Sequence, residues 1–216
     1  ITQVQDIVRL AARENLAIVP SGGRTGLSAG AVARNGELVL ALDRLNRIEE
    51  FNPVDRTVRC GAGVVTEQLQ QFAQEQGLFY PVDFASSGSS QIGGNISTNA
   101  GGIKVIRHGM TRDWVAGLKL VTGSGELLDL NRGLVKNNAG YDLRQLVIGA
   151  EGTLGIVVEA TMSLSRPPQN LAVMVLGVAD MASIMAVLAA FQDSMELCAF
   201  EFFSELALRK VVEHQG

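Results

Sequence analysis

An α+β fold is predicted by three features of the sequence. Helix-spaced and strand-spaced segments alternate through residues 1–77, strand patterns dominate residues 115–164, and glycine is gathered into clusters rather than spread evenly. With 47% hydrophobic residues among 216, the chain holds enough apolar material for one sizeable core, or for a core and a second small unit.

Residues 3–15 carry apolar side chains at helical spacing with charges between them, and residues 17–20 then read as a short buried strand that runs into a glycine-rich loop. Residues 37–42 and 57–60 read as strands separated by a polar turn. Residues 66–76 have helical spacing, with Gly77 placed to cap the helix C-terminus. The segment 81–102 is rich in small and polar residues and too long for an ordinary connector, which predicts a functional loop. Residues 115–122 and 127–130 flank Gly-Ser-Gly-Glu and predict a hairpin, and residues 154–164 alternate like a strand. Beyond Arg166, Pro167 and Pro168 the pattern becomes strand (171–178), helix (181–192), strand (197–203) and helix (206–214). That βαβα series needs further strands to cover its edges, and the chain opens directly in a helix without an initiator Met. Both ends are therefore expected to be cut.

Composition removes several classes of function. A formal net charge of -4 with both signs interspersed offers no cationic field for nucleic acid or an anionic membrane. No apolar run approaches the roughly 20 residues of a spanning helix, and the start lacks the basic-then-apolar layout of a signal peptide. Two isolated cysteines, Cys60 and Cys198, make neither a disulfide framework nor a zinc site, and a reducing, cytoplasmic setting is expected. With only His108 and His214, a His-rich metal centre cannot be built from this chain alone, and no metal site is expected.

The 24 glycines carry the chemical signal. In Pro-Ser-Gly-Gly-Arg-Thr-Gly-Leu-Ser-Ala-Gly, residues 20–30, the glycines let backbone amides approach an anion while Ser21 and Thr25 add hydroxyls, which suits a diphosphate. The spacing is neither GxGxxG nor a Walker loop, and a glycine-rich surface turn is the competing reading. Residues 92–102 set two Gly-Gly pairs around Asn95, Thr98 and Asn99, a backbone that can lie flat against a planar heterocycle. Residues 148–156 supply Gly152 and Gly155 beside Glu151, whose carboxylate either accepts from a ribose hydroxyl or caps the turn. Three separated small-residue loops suit a long, kinked dinucleotide better than a compact ligand, and FAD is such a molecule.

In order, PSGGRTGLSAGA, PVDFASSGSSQIGGNISTNAGG and KNNAGYDLRQLVIGAEGTLGIV resemble the vanillyl-alcohol-oxidase-type (PCMH-type) FAD-binding domain. The nearest branch is that of the D-2-hydroxy-acid dehydrogenases, which includes D-2-hydroxyglutarate and D-lactate dehydrogenases and the flavin subunit of glycolate oxidase. The resemblance implies an FAD-binding domain of two α+β subdomains over residues 1–167, followed by the first half of an α+β substrate domain over 168–216. It implies that Ser21, Gly22, Gly23, Arg24, Thr25, Gly26 and Leu27 take the pyrophosphate. Pro81, Asp83, Gly88, Ser89, Gly93, Gly94, Asn95, Thr98, Asn99 and Gly101 would line the flavin, with Glu151, Gly152, Gly155, Ile156 and Val157 as further cofactor contacts.

The activity so implied is oxidation of a small D-2-hydroxy acid to the 2-oxo acid by hydride transfer to flavin N5. The acceptor stays open between an electron-transfer flavoprotein and a quinone, and a homodimer is allowed. FAD is expected to be held non-covalently. His108, in a basic and aromatic stretch, reads as structural, and Cys60, beside Gly61 and Gly63, reads as a buried strand residue. Arg24 is either a phosphate contact or a solvated surface cation. Lys136, Asn137, Asn138, Tyr141 and Asp142 are either near the flavin or a turn that Tyr141 anchors by packing. Trp114 is read as packing. No catalytic base is assigned, because the resemblance places the substrate-holding cations and the base in the second domain. Two competing classes remain: a non-catalytic FAD-binding subunit or remnant working inside a larger complex, and a cell-wall-precursor reductase, which would need a nicotinamide site.

Overall fold

The computed structural model describes residues 1–215 and confirms the α+β class, with two sheets and a core on either side of the larger one. Helix α1 (Thr2–Arg13) buries Val4, Val8 and Ala11 at i, i+4 and i+7. Strand β1 (Ile18–Ser21) pairs in parallel with β2 (Leu38–Ala41), so the long loop between them leaves the C-terminal end of β1. The second sheet is antiparallel and adds β3 (Ile48–Asn52), β4 (Thr57–Gly61), β5 (Val115–Val121), β6 (Leu127–Leu130) and β7 (Ile156–Ser163), in the order β3-β4-β7-β5-β6.

Strand β7 lies at the centre of this sheet, covered on both faces. Ile156 and Val158 join Val4, Val8, Leu40 and Leu42 in a smaller cluster, while Val157, Ala160 and Met162 join Tyr80, Leu69, Ile92 and Ile96 in the main core. Strict alternation would put Val157 and Ala160 on opposite faces. The pairing of β5 with β7 slips between Lys119 and Leu120, and that irregularity turns both toward the main core. Helix α2 (Thr66–Glu75) ends as its sequence predicts, with Gly77 at φ +68 just past the cap.

Several expectations are corrected. The turn expected between the second and third strands holds β3, which pairs with β4, and Asn52 closes the bend by accepting from the Val54 and Asp55 N–H groups at 3.0 and 3.1 Å. The segment 81–102 contains helix α3 (Ile92–Thr98). Two short helices, α4 (Val105–His108) and α5 (Arg144–Val147), lie on either side of β5 and β6. After β7, helices α6 (Met181–Ser194) and α7 (Glu205–Gln215) form close to their expected bounds, but residues 171–178 and 197–203 are not strands. Strand geometry is held by a ladder, and neither segment pairs with another among the described residues. No described helix is long and apolar enough to cross a membrane.

Candidate functional site

Helix α3 is built from poor helix formers, with two glycines and three β-branched residues in seven. Its surroundings hold it. Ile92 and Ile96, four apart, are fully buried. The Ile92 and Gly93 N–H groups donate to the Val64 and Ala62 carbonyls at 2.9 and 2.8 Å. At the other end, the Gly149 and Glu151 N–H groups donate to the Ile96 and Ser97 carbonyls at 3.0 and 2.8 Å. The third glycine loop thus takes up the Ser97 carbonyl and shares the Ile96 carbonyl with the Asn99 N–H, which donates to it at 3.1 Å. Gly93 packs so closely on Ala62 that a Cβ there would lie 2.6 Å from the Ala62 Cβ.

The first glycine loop is pinned to the segment before α3. A Cβ on Gly23 would run into the Ser89 carbonyl oxygen and lie 2.8 Å from the Ser90 Cα, so only glycine lets these two backbones touch. Beyond that point the chain turns through Arg24 at φ +55 and Ala29 at φ +61. The Glu151 carboxylate reaches the same loop, with Oε2 3.0 Å from where a Gly30 Cβ would stand. First loop, α3 and third loop therefore enclose one cleft of about 600 Å³, within the roughly 300–1,000 Å³ of ligand sites.

Ser21, Gly22, Gly23, Arg24, Thr25, Gly26, Leu27, Gly93, Gly94, Asn95, Thr98, Gly101, Glu151, Gly152, Gly155, Ile156 and Val157 all line that cleft. Pro81, Asp83, Gly88, Ser89 and Asn99 do not. Pro81 is fully buried, and Asp83 is ion-paired with Lys104 at 2.7 Å. Gly88 faces Glu67, and the Ser89 carbonyl supports Gly23. Asn99 caps α3 in the left-handed region at φ 48, its Oδ1 accepting from the Arg112 N–H at 3.0 Å.

Asn95 combines two roles. It lines the cleft, and its buried amide donates to Thr66 Oγ1 at 2.6 Å, which in turn lies 2.7 Å from Ser90 Oγ. The sequence reasoning missed Gln91, Ser97 and Ala62, which are also on the cleft wall. Gln91 sits in the quoted motif two residues before Gly93, and that nearness to the first Gly-Gly pair was the available signal.

Arg24 and Glu151 are the ionisable side chains on the wall. His108 lies elsewhere, edge-on to Phe79 and accepting through its carbonyl from Trp114 Nε1 at 2.8 Å. Burial first, then the charges of Arg107 and Lys104, hold its imidazole below the usual pKa. Cys60 is fully buried in β4, and burial, with Glu159 adding a smaller effect, pushes its thiol up to about 12. Tyr141 is 94% exposed, so it does not anchor its turn by packing. Arg144 holds that segment instead, bonding both Asp142 carboxylate oxygens at 2.8 Å.

Two sheets carrying three loops around an open cleft, with glycine wherever backbone must come close, define a domain that holds an extended dinucleotide. The FAD binding domain family model matches residues 1–131, and the chain belongs to that family. It is 68% identical over 212 residues to D-2-hydroxyglutarate dehydrogenase of Stutzerimonas stutzeri (strain A1501), covering 98% of this chain and 46% of that protein. It is 60% identical over 214 residues to the enzyme of the same name from Xanthomonas citri pv. viticola, covering 99% of this chain and 45% of that one. The chain thus spans about half the length of these curated relatives. Among solved structures it resembles alkyldihydroxyacetonephosphate synthase, with a TM-score of 0.67 and 28% identity over 78% of this chain and 33% of that one.

The cofactor is FAD, and the cleft suits it. Gly94 opens onto the cleft, with nothing beyond the backbone of its own helix within 4 Å of where its Cβ would stand. Arg24 supplies a cation at the loop suited to the pyrophosphate. Ser21 and Gln91 also line the cleft, and among the described residues their buried Oγ and Oε1 have no hydrogen-bond partner.

Proposed function

We propose that this chain is the FAD-holding part of an enzyme that oxidises a D-2-hydroxy acid, D-2-hydroxyglutarate before others, to the 2-oxo acid. The observation that carries the reading is a cleft of three glycine-rich loops in a chain 68% identical to a D-2-hydroxyglutarate dehydrogenase. Bound there, FAD would supply the two-electron acceptor. The chain's own residues hold and orient: residues 21–27 face the pyrophosphate with Arg24 offsetting its charge, and Gly94 and Gly101 give the isoalloxazine close access to backbone. Pro81, Asp83, Gly88, Ser89 and Asn99 act behind the wall, supporting the loops that touch the cofactor.

FAD is held non-covalently in this reading, since Cys60 is buried in the core and His108 packs against Phe79 and Trp114 away from the cleft. Residues 168–216 are assigned to the start of a substrate domain. Helices α6 and α7 bury no residue, and Val173, Met174, Val175 and Phe203 stand exposed beside them, as surfaces awaiting a further layer do. A cytoplasmic setting fits the two free cysteines.

The test begins with the purified protein. A yellow preparation that releases FAD into the supernatant on denaturation supports the cofactor site. Bleaching of the flavin by D-2-hydroxyglutarate, and not by its L form, in the protein as its cell makes it supports the activity. A protein that neither carries nor takes up FAD refutes the reading, and a flavin that no D-2-hydroxy acid reduces refutes its catalytic half.

A further inference from the structure

We propose that Arg107 is a positioning residue: by pairing with Glu196 it fastens the segment after α6 onto α4, and so sets residues 168–216 beside the Gly101 end of the cofactor cleft. The inference rests on the assignment of residues 168–216 to the substrate domain.

Helix α4 is tied into the cofactor unit at both ends. Lys104, just before it, is ion-paired with Asp83 at 2.7 Å, and the carbonyl of His108, its last residue, accepts from Trp114 Nε1 at 2.8 Å. The helix also stands behind the cleft wall. A Cβ on Gly101, a wall residue, would lie 3.0 Å from Val105 Cγ2 and 3.2 Å from Met110 Cε, so α4 packs against that stretch of wall.

The Arg107 guanidinium bonds the Glu196 carboxylate and also reaches the Cys198 thiol. Among the described residues, this contact is the one polar side-chain link between residues 168–216 and the rest of the chain. The other side-chain bonds of that segment, such as Asp180 with Ser183 and Lys210 with Glu213, stay inside it. Burial marks the same place. Leu197, Cys198 and Phe200 are half-buried although their segment pairs in no ladder, whereas Val173 and Val175, in the other unpaired segment, stand exposed. Arg107 is 31% exposed. Lys104 is committed to Asp83, so Arg107 is the permanent cation that α4 itself offers, and its planar fork holds a carboxylate in one orientation.

Cys198 is a built-in reporter of the contact, since it is half-buried there while Cys60 is sealed in the core. The protein as its cell makes it is alkylated with iodoacetamide across alkaline pH, and the Cys198 peptide is followed by mass spectrometry. Comparing plateau rates separates access to the thiol from its ionisation. Arg107→Glu and Glu196→Arg each raise the plateau rate roughly two- to fivefold, the range for an ion pair of this exposure. The double variant, with the charges exchanged, returns it toward the parent. None of the three changes FAD affinity, because neither residue lines the cleft. Each single variant slows flavin reduction at subsaturating D-2-hydroxyglutarate by a similar factor, and the exchange restores it. Unchanged alkylation in the single variants, no return in the double variant, or raised alkylation with flavin reduction unchanged each overturns the inference. A parent flavin that no D-2-hydroxy acid reduces overturns the proposed activity instead, and the alkylation rates then decide the contact by themselves.

Discussion

Replacing Gly94 by alanine should move folding and cofactor binding in opposite directions. In the protein alone, the new methyl meets nothing within 4 Å beyond the backbone of its own helix, and Gly94 sits in α3 without a positive φ. Glycine in a helix is less favourable than alanine by roughly 0.5–1 kcal/mol, so the apo-protein is stabilised by up to that amount. For a chain of this size that raises the thermal midpoint by about 2–4 °C. The open side is the cleft, however, and a methyl pushed into a packed cofactor contact costs about 1–3 kcal/mol. FAD affinity should therefore fall roughly tenfold or more, and the extra stability that saturating FAD confers should shrink with it. Thermal unfolding with and without FAD, beside a fluorescence titration, reads both effects. A lower apo midpoint would refute the open-space argument, and an unchanged affinity would show that Gly94 does not face the cofactor.

Gly23→Ala, by contrast, drives a Cβ into the Ser89 backbone. It should lower the apo midpoint and release FAD together, and a variant as stable as the parent would show that the loop moves freely. Tyr80→Phe removes a buried hydroxyl that has no partner among the described residues, and should leave stability unchanged or raise it by about 1 kcal/mol in denaturant unfolding; a clear loss would reveal a bond to that hydroxyl. His108 is harder to protonate in the fold than its ordinary value of 6.5 because it is buried beside Arg107 and Lys104. Stability should thus be complete above that value and decline as pH falls through it toward the lowered folded pKa. His108→Phe should flatten the decline below that value, as followed by urea midpoints on either side of it.

The sequence was most readable where one local rule decides the structure. Helix α2 with its glycine cap and the β5–β6 hairpin follow from spacing and turn chemistry alone, while the shared site of the three glycine loops was legible from loop chemistry together with the family resemblance. Helix α3 was hidden because Gly93, Gly94, Ser97 and Thr98 are poor helix formers; the helix exists through Val64, Ala62, Gly149 and Glu151, which bond its ends from elsewhere in the chain. Strand β3 was hidden by Glu49 and Glu50, which read as a polar turn but face outward and pair with Arg59. The Asn52-Pro53 step after it was a usable hairpin signal. The opposite error fell at residues 171–178 and 197–203, whose apolar character suits a strand but whose pairing no local pattern can supply. Within the motif at 81–102, small residues looked alike as ligand contacts. Spacing does not separate those that touch the cleft from those, such as Ser89 and Asn99, that hold the touching residues in place.

That distinction runs through the glycines themselves. Gly23, Gly93 and Gly155 are required because another part of the protein lies where a Cβ would go; Gly94 and Gly26 have nothing there. The first group builds the cleft and the second leaves room in it, so substitution in one group tests folding and in the other tests binding. The wall they form carries Arg24 and Glu151 as its ionisable residues and is otherwise neutral, from glycines and small polar groups to apolar side chains such as Leu42, Phe84 and Ile156. Such a wall binds and positions, while oxidising a 2-hydroxy acid also needs a cation for the carboxylate and a base for the hydroxyl proton. In the proposed enzyme, then, substrate-reading chemistry is carried by other residues than the cofactor wall. A substitution at Gly94 should accordingly alter FAD occupancy while leaving the choice among hydroxy acids, per bound flavin, as it was.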